Sequence, residues 1–175
     1  EITNWIELGK FNGEFSQKNS RKFYHQALKN GLKFEQVTED NDIEDVYRII
    51  CDNRTKFGRP IFMSLNDILN TRKLWPVDFF KVYTRDNDPC ASAVLYRSRS
   101  DIVYAVFWGD NETGRQLRAM DFLAYQLISF YKELNFSYLD MGISTEKGEP
   151  NEGLLRFKES HEAVSSLRYK FEWRV

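Results

Sequence analysis

The chain has 175 residues, 25 basic and 26 acidic side chains and a net charge of -1. This gives one domain with room for a real core and excludes the strongly basic footprint of a duplex DNA binder. Hydrophobic residues make up 42% and aromatic residues 15% of it, an ordinary globular composition with an aromatic surplus for filling a core and lining a groove. No apolar run approaches the ~20 residues of a transmembrane helix. Cys51 and Cys90 are isolated, and they read as free thiols in a reducing, cytoplasmic compartment. His25 and His161 are too few and too far apart to argue for a metal. Because the chain begins with Glu1 and not Met, it is expected to be a processed product or a piece of something longer.

Residues 1–18 are broken by Gly9 and Gly13, and Trp5, Ile6 and Leu8 fit either a short strand or a helix end. From Asn19 to Asn30 the spacing of Phe23, Tyr24, Ala27 and Leu28 predicts a helix, stopped at Asn30-Gly31. Leu32 to Thr38 alternates as a strand. Asp42, with Asp45 at capping-box spacing, is expected to start a helix whose stripe is Ile43, Val46, Tyr47, Ile49 and Ile50. Gly58 and Pro60 end it. Ser64 caps a second helix carrying Leu65, Ile68 and Leu69.

The period then changes. Phe79 to Thr84, Ala91 to Arg99 and Ile102 to Trp108 read as three strands joined by turn chemistry, an antiparallel meander. Thr113 and Gln116 form a capping box for the longest helix, expected unbroken from Gly114 to Leu134. Phe136 to Asp140 is a strand ending at Gly142, so a right-handed crossover and a parallel pair are required. Ligands prefer the carboxyl ends of such strands. Ile143 to Pro150 reads as a mobile polar loop, and Asn151 as the cap of a short helix with Leu154, Leu155 and Phe157 on its apolar face. Ser166 to Val175 alternates Leu167, Tyr169, Phe171 and Trp173 with charged residues, which predicts a half-exposed strand.

This order, with two helices after the first strand, resembles the acyltransferase fold of the GNAT superfamily over roughly residues 32–175. Tyr138-Leu-Asp-Met-Gly142 followed by Gly153-Leu-Leu-Arg-Phe-Lys158 is similar to the FemAB/FemX branch. Arg21 to Gly31 resembles the basic helix before the second subdomain of those proteins, and Arg54 to Pro60 is similar too. The resemblance implies an α/β fold with a GNAT-like mixed sheet flanked by helices. Residues 1–31 are then an N-terminal segment and linker helix, consistent with the remnant of a preceding subdomain. It also implies acyl or aminoacyl transfer to an amine, with aminoacyl-tRNA or acyl-CoA as donor and a small molecule or peptidoglycan precursor as acceptor. Two alternatives stand beside it: a non-catalytic GNAT-fold binding domain and an acyl-CoA-dependent N-acetyltransferase. Gly109-Asp-Asn-Glu-Thr-Gly-Arg-Gln116 departs from the acetyl-CoA signature expected before the long helix, so acetyl-CoA is expected to bind poorly.

Asp140 is the candidate catalytic residue, orienting an amine or acting as a base. The competing account is that it bonds backbone N–H groups and shapes the turn. Lys158 is, by resemblance, a contact for a phosphate or carboxylate. Arg156, two positions away, points elsewhere, and a solvated face accounts for either cation equally well. Tyr104 and Trp108 share strand parity and are candidates for lining a groove, although core packing is the simpler account. Arg54 and Arg59 flank the Gly-Pro turn as anion binders or ordinary surface arginines. Arg115, at the start of the long helix, is a phosphate candidate. His161 is read as structural, and no nucleophile elbow is present.

Overall fold

The computed structural model describes all residues except Pro60, Lys170, Arg174 and Val175. Ile2–Glu7 form β1, Lys18–Lys29 α1, Lys33–Val37 β2, Asp40–Lys56 α2 and Leu65–Leu74 α3. The meander follows as β3 (Val77–Tyr83), β4 (Pro89–Tyr96) and β5 (Ile102–Asp110). Glu112–Leu117 is α4, Ala119–Glu133 α5 and Tyr138–Ile143 β6. The chain closes with β7 (Thr145–Glu146), β8 (Glu149–Pro150), α6 (Glu152–Ser160) and β9 (Val164–Leu167). Seven strands make one mixed sheet in the order β2-β3-β4-β5-β6-β1-β9. β5 and β6 are its parallel pair, as the crossover through α4 and α5 demands, and the other neighbours are antiparallel. β7 and β8 are a separate two-residue ladder within the segment read as a loop.

Strand alternation sends side chains to two cores. Phe80, Leu95, Val103 and Leu139 face α5, which contributes Leu123, Leu127 and Tyr131. Phe79 and Val94 face α2 and α3, which contribute Val46, Ile50 and Ile68. β1 and the turn after it precede the proposed boundary at residue 31, yet Ile6, Leu8, Phe11 and Phe15 join the first of these cores.

Several local expectations are corrected. Asp42 and Asp45 do not cap α2, which starts at Asp40 with Glu39 as an N-cap lacking a side-chain bond. Both carboxylates instead hold the buried Lys81 of β3. The long crossover helix is not continuous: α4 ends at Leu117, Arg118 takes a left-handed conformation (φ 65), and α5 starts at Ala119. Its cap is Asn111, whose side chain accepts from the Gly114 N–H, and not Thr113. Gly114 explains the tight docking, because a Cβ there would lie 2.2 Å from the Cys90 carbonyl oxygen. That contact seats α4 against β4, and the chain turns at Arg118 to lay α5 along the core.

The C-terminal strand is also shorter than its alternation predicts. β9 pairs with β1 from Val164 opposite Trp5 to Leu167 opposite Ile2. Beyond Leu167, Arg168 exchanges backbone hydrogen bonds with Glu1 outside the strand. Tyr169, Phe171 and Trp173 are exposed outside any strand, while Lys170, Arg174 and Val175 lie outside the described residues. Cys51 and Cys90 are free thiols, as expected.

Candidate functional site

β5 and β6 pair only from Ile102 opposite Tyr138 to Tyr104 opposite Asp140. Beyond that point each strand follows its antiparallel neighbour, β5 running with β4 to Asp110 and β6 with β1 to Ile143. Each also carries a bulge there. Val106 is left over between Ala105 and Phe107 in the ladder with β4, and Met141 between Asp140 and Gly142 in the ladder with β1. Bulges bend and twist a strand, so the two strands separate and a gap opens through the middle of the sheet.

Lys158 of α6 reaches this gap. Asn151 sets the start of the helix, its side chain accepting from the Leu154 N–H and its own N–H donating to Ser144 O. One face of the helix then turns inward. Lys158 is 1% exposed, and its Nζ donates to Gly142 O and Ile143 O, both at 2.8 Å. The solvated face that was the alternative account of Lys158 is therefore excluded, because the carbonyls freed at the splayed end of β6 offer it partners in place of water. Burial pulls its pKa down to about 8; Asp140 opposes the shift and Arg54 adds to it. Two of the three ammonium donors are used, leaving one for a ligand.

On the other side of the gap stand Asp140, Tyr104 and Arg54. Asp140 Oδ1 accepts from the Gly142 N–H at 2.7 Å and lies 3.5 Å from Thr3 Oγ1, so the turn-shaping role is present. Its second oxygen remains without a hydrogen bond in the described residues. Gly142 has a φ of 75, and a Cβ there would meet the Tyr104 ring at 3.2 Å, so glycine lets the aromatic ring lie against β6. Burial, then the Asp140 charge, raises the Tyr104 pKa. Among the described residues the Arg54 guanidinium makes no hydrogen bond or ion pair; burial and then Arg59 lower its pKa, and Tyr104 works against them. Arg54, Lys158, Tyr104 and Asp140 thus sense one another electrostatically across the gap.

Other candidates stand apart. Tyr104 and Trp108 do not share a face, because the bulge at Val106 shifts the alternation. Val103 and Ala105 lie in the α5-side core, so Tyr104 points to the α3 side, whereas Trp108 packs on the α5-side core. There Trp108 meets Phe157 edge-on at 5.7 Å. Arg156 is exposed and pairs with Glu152 at 2.7 Å. Arg115 lies over the Phe57 ring at 5.5 Å on α4. His161 is buried, with Nε2 3.1 Å from Asp121 Oδ1 and Nδ1 2.7 Å from Phe157 O, tying α6 to α5. Arg59 pairs with Glu146 at 2.5 Å, joining the turn after α2 to β7. The residues that sequence reasoning missed are the acceptors of Lys158. A backbone carbonyl has no sequence signature, and the only hint was Gly142 at the strand end.

No family model and no curated protein matches the chain by sequence. Solved structures match by shape. FemX is similar with a TM-score of 0.77 at 12% identity, over 94% of this chain and 59% of that one. The C-terminal domain of a putative lysylphosphatidylglycerol synthetase from Agrobacterium fabrum gives 0.68 at 15%, over 94% and 57%. A Bacillus subtilis acetyltransferase in complex with CoA gives 0.55 at 16%, over 74% of each chain. The chain thus spans about three fifths of the length of the FemX and synthetase structures. At these identities the likeness fixes the fold, which is GNAT-like and related to that of FemX.

Proposed function

We propose that the domain transfers an acyl or aminoacyl group to an amine in the gap between β5 and β6. Lys158 carries this reading: a buried cation without a carboxylate hydrogen bond, held by two strand-end carbonyls where the sheet opens. The domain's neighbours include FemX and a CoA-bound acetyltransferase, which supports this class of reaction. The acceptor nitrogen attacks the donor carbonyl carbon, a C–N bond forms, and the bond from that carbon to the donor's oxygen or sulfur breaks. The amine proton leaves with the departing group or to solvent. The remaining donor of Lys158 faces the developing oxyanion, where a fixed cation in a water-poor site is worth most. The free oxygen of Asp140 orients the amine, and Arg54 holds an anionic part of a substrate.

The donor is favoured to be something other than acetyl-CoA. Asn111 already occupies the Gly114 N–H at the start of α4, the place where a diphosphate would need free N–H groups. Calorimetry with acetyl-CoA is expected to show no low-micromolar binding. The decisive experiment offers the purified protein aminoacyl-tRNA and acyl thioester donors with a labelled amine, and compares Lys158→Met. Transfer that falls about 10²–10³-fold in the variant, the usual loss for one oxyanion donor, supports the reading. Transfer that survives the substitution removes it. Ligand binding with no turnover in either protein favours a binding domain.

A further inference from the structure

A groove of about 650 Å3 runs along the exposed side of α3, lined by Asn70, Thr71, Leu74, Trp75, Tyr96 and Tyr104. Several of these residues are polar in name, but the surface they turn to the groove is almost all carbon. The Tyr96 hydroxyl is buried without a partner, but most of the other polar atoms are engaged elsewhere. Thr71 Oγ1 donates to Asp67 O at 2.8 Å, Asn70 Oδ1 accepts from Lys73 Nζ at 3.0 Å, and Trp75 Nε1 donates to Arg97 O at 3.0 Å. The Asp67 carboxylate is closed into the capping box with Ser64. A sugar, nucleotide or peptide backbone would find few partners here and would leave its own polar groups unpaired. A hydrocarbon loses nothing by lying in it. The rim shows the same chemistry, because Leu74 is 87% exposed on the helix end.

What the groove adjoins decides what fills it. Tyr104 lines it, and it is also the last residue of the parallel pairing with β6, with its ring against Gly142. A chain in the groove therefore has its head at the gap where Asp140, Arg54 and Lys158 meet. We propose that the groove takes an unbranched aliphatic chain of the substrate, so that the transferred acyl group or the accepting amine is an amphiphile. This deepens the transfer reading and rests on it for the role of the head group.

Chain-length dependence tests it. Two series are titrated by calorimetry below their micelle concentrations: n-alkanoates, whose carboxylate suits the cations at the gap, and n-alkylamines, whose ammonium suits Asp140. Affinity is expected to rise up to about fourfold per added methylene, the equivalent of ~0.8 kcal/mol, and then to level off once the groove is full. A rise in the alkanoate series puts the tail on the acyl group, and a rise in the alkylamine series puts it on the amine. Thr71→Trp, which fills the groove, and Leu74→Asp, which charges its rim at an exposed position, are each expected to flatten the slope. Leu74→Asp keeps the test valid if Thr71→Trp fails to fold. Flat series in the wild type, or slopes unchanged in the variants, overturn the proposal. Lys158→Met is expected to keep the slope, which separates the two ideas. A flat series with Lys158-dependent transfer of short acyl groups removes the groove and leaves the chemistry. A steep series with no transfer from any donor does the reverse.

Discussion

Among the described residues, Lys81 and Lys158 are the lysines that lose nearly all contact with water, at 2% and 1% exposure. The fold treats them in opposite ways. Lys81, on β3, is met by two carboxylates of α2, Asp42 Oδ1 at 2.6 Å and Asp45 Oδ2 at 3.1 Å. Burial alone would lower its pKa, but the bonds to Asp42 and then Asp45 outweigh it, and the value rises above the ordinary 10.5. Lys158 gets only two carbonyls, and burial wins. A buried cation with its counterions in place is a fastening between α2 and β3. One held by neutral dipoles is left with charge to spend on something else, and such perturbed groups gather at working sites.

The largest effect expected from this contrast is in the assay. Lys158→Met should lower transfer by about 10²–10³-fold, whereas Lys81→Met should leave kcat as it is, because Lys81 lies on β3 with its donors committed to α2. Equal losses in the two variants would erase the distinction. The order reverses for stability. Lys81→Met leaves two carboxylates facing each other without their cation and should cost roughly 2–4 kcal/mol in denaturant unfolding. Lys158→Met removes a cation whose burial costs the fold roughly 3 kcal/mol at neutral pH and, against that, strips two carbonyls of donors, so its midpoint should move far less.

A finer contrast is the pH dependence of stability. The folded pKa of Lys158 is about 8, below the ordinary 10.5. Between those values the unfolded chain holds a proton that the folded protein has released, so stability rises with pH across this window. Lys81 runs the other way. Its folded value is raised, so its contribution is complete below 10.5 and fades as pH climbs toward the folded value. Urea unfolding from pH 7.5 to 10 should therefore show an upward contribution that Lys158→Met abolishes and Lys81→Met retains. A slope unaffected by Lys158→Met would mean that its ammonium is not penalised by burial.

The fold was readable because its signals are local and periodic. The meander of β3 to β5, the crossover to β6 and the Asn151 cap of α6 all follow from apolar spacing and turn residues. What escaped depends on partners distant in sequence. Alternation cannot report that the ladder of β9 with β1 stops at Leu167 and leaves Tyr169, Phe171 and Trp173 outside any strand. It cannot report a bulge either, so Tyr104 and Trp108 looked like one wall when they stand on opposite faces. The Asp42 and Asp45 pair fits a capping pattern and a counterion pair equally well, and only the approach of Lys81 decides between them. The same limit applied to the site. The motif singled out Lys158 on α6, but exposure is the default for a lysine, and the two carbonyls that bury it belong to another element.

The smallest expected effect tests whether the gap acts as one electrostatic unit. Asp140 raises the Lys158 pKa and Arg54 lowers it. If protonated Lys158 supports transfer, kcat should fall as pH rises through about 8, and the position of that alkaline limb reports the Lys158 ammonium in the loaded protein. Asp140→Asn removes a negative charge while keeping an oxygen for the Gly142 N–H, so the turn is retained and the limb should move to lower pH. Arg54→Met removes a positive charge and should move it to higher pH. Either variant also weakens substrate contact, but that loss appears in the height of the profile and in KM, not in where the limb falls. Opposite displacements would show that the three side chains share one field across the gap. A limb that stays in place in both variants would mean that a group other than Lys158 sets it, and the buried ammonium would lose its claim to the chemistry.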